Sequence, residues 1–129
     1  MVAMPKALPL LDITAPVCCA PLAAGILDGD DALGLALRLK ALADPVRIQL
    51  LSMLFAAPDT GVCTCELAPA LGITEATTSF HLGRLRAAGV VEGTRKGTNV
   101  YYRANPDALY ALVKVLSPNA SSLADVSVQ

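Results

Sequence analysis

No stretch of this 129-residue chain stays apolar for the roughly 18 uninterrupted residues that a membrane-spanning helix needs, although 54% of its residues belong to the apolar set. Charge is also scarce: 16% of residues are charged, and bases and acids nearly cancel to a net -1. A histone-like, polybasic nucleic-acid binder would show a pI above about 9 and is excluded on bulk charge. Histidine occurs once, and no nucleophile, base and orienting group stand out together, which argues against an enzyme. Lys6 precedes only a weak apolar stretch, interrupted by Asp12, Pro16 and Pro21, so an export signal is not expected and a cytoplasmic protein is. There is no internal repeat and no low-complexity tract, and the length suits one small domain.

The four cysteines form two tight pairs, Cys18-Cys19 and Cys63-x-Cys65. Neither spacing suits a disulfide within the pair, given the Cα separation and Cβ directions that a bridge demands. Paired thiols in a reducing compartment point to metal or redox chemistry. The plainer reading is a set of small buried hydrophobes.

Residues 1–29 are rich in Pro, Ala and Gly without a helical period and read as an irregular or conditionally ordered arm that carries the first cysteine pair. Asp30-Asp31 can cap a helix over Ala32 to Ala43 that is apolar on nearly every side. Asp44-Pro45 restarts a helix with Ile48, Leu51, Leu54 and Phe55 as its core stripe, to about Ala57. Thr64 to Leu71, closed by Gly72, and a helix capped by Thr74 and closed by Gly89 make a helix-turn-helix. Val90 to Thr94 and Thr98 to Ala104 are β-prone runs around a basic tip, Arg95-Lys96-Gly97. Asn105-Pro106 opens a last helix, Asp107 to Leu116, and residues 118–129 read as a tail. The fold expected over 30–117 is mainly α with one β-hairpin. The first and last helices carry more apolar surface than the residues between them can cover, so a homodimer through those helices is expected.

Segment 76–103 holds Arg84, Arg86, Arg95, Lys96 and Arg103 against Glu92, a local +4 in a chain of net -1. Thr77, Thr78, Ser79 and His81 cluster near the start of the helix from Thr74, with lengths and chemistries that reach base edges and phosphates from a major-groove helix. Thr78 or Ser79 can instead bond back to the preceding turn, and a lone His is commonly an ordinary packing residue. Arg95 and Lys96 suit phosphate or minor-groove contacts.

Leu39 to Arg47, Cys63 to Leu67, Thr77 to Leu82 and Val100 to Arg103 follow one another as do the signatures of the ArsR/SmtB family of bacterial metal-sensing repressors, which the chain resembles over about residues 31–116. The resemblance implies a dimeric winged helix-turn-helix that sits on operator DNA and leaves when a thiophilic or borderline metal binds. It also implies that Cys63 and Cys65 occupy ligand positions, while Ala68 stands where some members carry a third cysteine. Cys18 and Cys19 on the arm then supply the missing sulfurs, often across the dimer in related sensors. Two to three thiolates suit arsenite or antimonite; four suit Cd(II), Pb(II) or Zn(II). The adjacent Cys18-Cys19 pair favours the three-sulfur ligand, arsenite. A thiol redox-sensing repressor is the alternative. If the helix were regular from Cys63 onward, residues i and i+2 would point roughly 200° apart and could not share an ion. Two departures from the family pattern are Glu75, where Gln is frequent, and Phe80-His81 in place of a His pair. Of the zinc site on the last helix of some members, only Asp107 has a counterpart here.

Overall fold

The first two helices start where aspartate caps them. The computed structural model describes residues 12–18 and 21–118; Cys19 and all of the expected tail beyond Pro118 lie outside them. In α1 (Gly29–Leu42) the cap is Asp28, whose carboxylate accepts from the Asp31 amide, so the helix starts earlier than Asp30-Asp31 suggested. In α2 (Pro45–Ala56) Asp44 accepts from the amides of Val46 and Arg47 and Pro45 takes the first turn, where its missing N–H is not needed. The expected core stripe of α2 is corrected: Leu50, Leu51 and Leu54 are buried, whereas Ile48 and Phe55 stand 52% and 49% exposed.

The next segments build the helix-turn-helix and wing. β1 (Val62–Cys63) leads directly into α3 (Thr64–Leu71), which stops at Gly72 in the left-handed region. Thr74 caps α4 (Glu75–Ala87) by accepting from the Thr77 amide. β2 (Val91–Lys96) and β3 (Asn99–Ala104) pair antiparallel with Lys96 opposite Asn99, leaving Gly97 and Thr98 as a two-residue turn. Arg95 and Lys96 therefore stand on the end of β2 rather than at the tip. The two residues of β1 add to the far edge of β3, Val62 opposite Tyr102 and Cys63 opposite Tyr101, giving the sheet order β1-β3-β2. Asn105 then caps α5 (Pro106–Leu116).

One core joins these elements: Leu35, Leu50, Leu51, Leu54, Leu67, Leu82, Leu85, Val90, Val91, Tyr102, Leu112 and Val115 form a continuous cluster. It fixes α4 against α2 and α3 and leaves the opposite face of α4 in solvent. Of the arm, residues 1–11, 19 and 20 lie outside the described residues; the described part is irregular apart from one 3-10 turn, Leu22–Ala24, yet Ala15 and Val17 lie against the domain. Buried Arg38 of α1 donates to the carbonyl of Ala15, and Val17 packs on the core. Among the described residues no helix is long and apolar enough to cross a membrane.

Candidate nucleic-acid interface and thiol pair

Burial sorts the residues of α4. Thr78 is fully buried and its hydroxyl donates to the carbonyl of Thr74, so the expectation that it touches DNA is corrected: it bonds back to the turn beneath it. Its place is set by the apolar period, one and two turns before Leu82 and Leu85. Thr77, Ser79, Arg84 and Arg86 are exposed. His81 is half-buried, and its Nδ1 accepts from Nε of Arg47 at 3.1 Å. Arg47 also reaches the carbonyls of Lys40 and Ala41 at the end of α1, so His81 belongs to a polar joint between α4, α2 and α1.

The wing supplies further cations. Arg95 and Lys96 are exposed on β2, the Lys96 ammonium 5.4 Å from the ring centre of Tyr101. Arg103 is paired with Glu92 across the sheet at 3.1 Å, and among the described residues Arg84, Arg86, Arg95 and Lys96 have no carboxylate within ion-pair distance.

The cysteines are arranged differently from the sequence expectation. Cys63 and Cys65 are joined to each other by a disulfide, with Cα atoms 5.2 Å apart. The objection to a bridge at this spacing fails because Cys63 is not helical: it ends β1 with φ -88° and ψ 164°, and the helix begins only at Thr64. A change from extended to helical backbone between the two residues turns both Sγ atoms to one side. Cys63 is buried and Cys65 exposed, so one sulfur anchors in the core while the other faces solvent. Cys18 is also disulfide-bonded, and shares a cleft with Ala111, Lys114 and Val115 of α5. Within the chain, the described residues bring no three Cys, His, Asp or Glu side chains into a metal-holding cluster.

Two links around the thiol pair were missed from the sequence. Cys63 is paired with Tyr101 in the wing. The hydroxyl of Thr64, between the two cysteines, donates to Oε1 of Glu75 in the first turn of α4 at 3.3 Å. Away from the thiol pair, Arg38 of α1 is buried, and burial pushes its guanidinium below its ordinary value while the charge of Asp12 works the other way.

Residues 44–93 match the family of bacterial regulatory proteins described as the arsR family. The chain is 37% identical over 98 residues to the arsenic resistance transcriptional regulator ArsR1 of Pseudomonas putida, covering 67% of this chain and 75% of that protein. It belongs to the ArsR family. The fold is the family's winged helix-turn-helix, as in the homodimeric DNA-binding domain Mb0332 of Mycobacterium bovis, which is 30% identical with a TM-score of 0.57, covering 81% of this chain and 93% of that one. The antimony-specific transcriptional repressor AntR shares the fold across the full length of both chains, with a TM-score of 0.57 at 22% identity. The ArsR family is made up of DNA-binding transcriptional regulators; in its winged helix-turn-helix fold α4 is the second helix of the helix-turn-helix and the β2–β3 hairpin is the wing.

Proposed function

We propose that this ArsR-family chain is a homodimeric repressor that holds operator DNA through α4 and the wing and is released when As(III) or Sb(III) is bound by cysteine thiolates. The observation that carries the reading is the convergence of the Cys63 and Cys65 sulfurs where β1 passes into α3. Once reduced, the pair offers two soft donors at one point, and both As(III) and Sb(III) favour three sulfurs. The third comes from the arm pair, Cys18 and Cys19, of the partner subunit. In support of the dimer, α1 and α5 keep Leu33, Val113 and Leu116 exposed, each above 40%.

The chain's own residues then carry the response. Cys63 is tied to β3 and Thr64 to α4, so drawing the two sulfurs to a common ligand acts at once on the wing and on the first turn of the reading helix. A coupling of about 1–3 kcal/mol suffices, and operator DNA must weaken inducer binding by the same factor.

The test is operator release titrated with arsenite, antimonite, Cd(II), Pb(II) and Zn(II), repeated on Cys18→Ser, Cys19→Ser, Cys63→Ser and Cys65→Ser. Release by arsenite that disappears in the cysteine variants supports the reading. Unchanged affinity with every ion in the reduced protein ends it.

The Cys63–Cys65 bond favours a second reading, a thiol redox-sensing repressor. Two thiols would give up two electrons and two protons to a peroxide, forming the disulfide and water. Release by peroxide in the absence of metal selects this alternative.

A further inference from the structure

The outward centre of α4 is occupied by an aromatic ring. Phe80 is 54% exposed, in the middle of a face opposite the buried Thr78, Leu82 and Leu85. An exposed Phe on a helix that packs well on its other side has no role in the core. Its ring lies edge-on to His81, with centroids 5.4 Å apart, and 5.3 Å from the guanidinium carbon of Arg84. The ring is thus held in place from both sides while its remaining surface stays in solvent.

Its helical neighbours on that face are small: Ala76 one turn before and Gly83 one turn after. Gly83 has no intramolecular reason to lack a side chain, since a Cβ built there meets nothing within 4 Å. A glycine inside a helix is also unfavourable relative to alanine by roughly 1 kcal/mol. The bare backbone at Gly83 leaves room for something outside the chain to approach closely beside Phe80. Arg84 borders the same face beside the Phe80 ring and Arg86 reaches Gly93 at the neighbouring wing, which makes a polyanion the fitting visitor.

Resting on the reading of α4 as the DNA-reading helix, we propose that Phe80 is a specificity-determining residue that packs on a thymine C5-methyl group in the major groove, with Gly83 admitting the helix to the depth this contact needs. A thymine methyl is the one apolar feature that the major groove presents, and Phe is among the side chains that recognise it. Stacking with Arg84 places a cation beside this apolar contact, so a phosphate or guanine edge near the thymine is engaged by the same unit.

The experiment uses the full-length protein and a duplex enriched from a random-sequence pool. Each thymine is replaced in turn by deoxyuracil, which removes only the methyl group. The expected result is one position per half-site at which wild-type affinity falls about fourfold, the factor expected from one buried methyl-sized group. Phe80→Ala should bind thymine and uracil duplexes alike, and Phe80→Leu should restore the difference. Gly83→Ala should raise thermal stability while lowering operator affinity by about fivefold or more, the scale of overpacking at a tight contact. Equal loss in Phe80→Ala on thymine and uracil duplexes would mean that Phe80 only props Arg84 and would overturn the assignment. Unchanged affinity in Gly83→Ala would overturn the close approach. If no duplex is enriched, α4 does not read DNA and the proposal falls with that reading; an enriched duplex indifferent to uracil removes the Phe80 assignment alone.

Discussion

Thr64 and Glu75 join the two helices of the helix-turn-helix at their first turns: the threonine hydroxyl donates to the glutamate across 3.3 Å. Cys63 and Cys65 flank that threonine, so any ligand or bond that draws the two sulfurs together acts on a residue already linked to α4. Thr64→Val keeps the shape of the side chain and removes the donor. The variant is expected to bind arsenite as tightly as wild type but to release operator less completely, the difference corresponding to about 1 kcal/mol for one exposed hydrogen bond. Thr64→Ser should behave as wild type. Operator affinity measured with and without saturating arsenite checks both.

Cys63 and Cys65 are unequal partners. Cys63 is buried beneath the wing and Cys65 is open to solvent. Measured against the reduced wild type, Cys65→Ser should leave folding unchanged, whereas Cys63→Ser places a hydroxyl among apolar neighbours and should lower stability by about 1–3 kcal/mol. Both should lose sulfur-to-metal charge-transfer absorption and inducer response while still binding DNA. Urea unfolding and ultraviolet difference spectra separate the two effects.

The arm meets the turn just past α4 at Gly89. That residue has φ +79°, and a Cβ there would collide with the Thr14 carbonyl. Gly89→Ala therefore meets two penalties, the left-handed backbone and the loss of the arm's seat, of which the first alone costs about 1–2 kcal/mol. The expected outcome is a lower melting temperature together with faster proteolysis between Asp12 and Cys18.

The same arm segment should loosen in acid. Asp12 accepts from the hydroxyl and amide of Thr14, and these bonds, with a smaller contribution from Arg38, hold its carboxyl below the ordinary value of 3.8. A carboxyl depressed in the folded state stabilises it above the unfolded value and ceases to do so as pH falls through the folded one. Hydrogen exchange at the Thr14 amide should thus gain protection up to about the ordinary carboxylate range and stay level above it. Because Asp12 is at the surface the change is local, and the melting temperature of the domain should not follow it.

Much of this fold could be read from capping chemistry. Asp44-Pro45, Thr74, Gly72, Gly89 and Asn105-Pro106 each mark a boundary that the structure has to within a residue or two, because caps are decided by neighbours in sequence. Burial on α2 was not legible in the same way. Ile48, Leu50, Leu51, Met53, Leu54 and Phe55 are apolar around the whole helix, so only the position of α4 and β3 decides which of them is covered. β1 is two residues long and exists only because β3 is beside it; no local pattern announces it. The thiol pair turned on the same point, since the convergence of Cys63 and Cys65 depends on where strand gives way to helix. The cover over Arg38 of α1 was not legible either, since it comes from the arm, distant in sequence.

The wing offers a quantitative test of its place on DNA. Arg95 and Lys96 stand on the end of β2 with no carboxylate among the described residues within ion-pair distance, whereas Arg103 is already paired with Glu92. A free cation that meets a phosphate displaces a condensed counterion, so each such contact adds about 0.9 to the slope of log affinity against log salt. In a dimer every substitution counts twice. Arg95→Ala or Lys96→Ala should therefore flatten that slope by about 2 and weaken binding to all sequences alike. Arg103→Ala should change it less, because its charge is offset by Glu92 whether or not DNA is present. Equal slopes for Arg95→Ala, Lys96→Ala and wild type would place the wing away from the phosphates, and the DNA contacts would then rest on α4 alone.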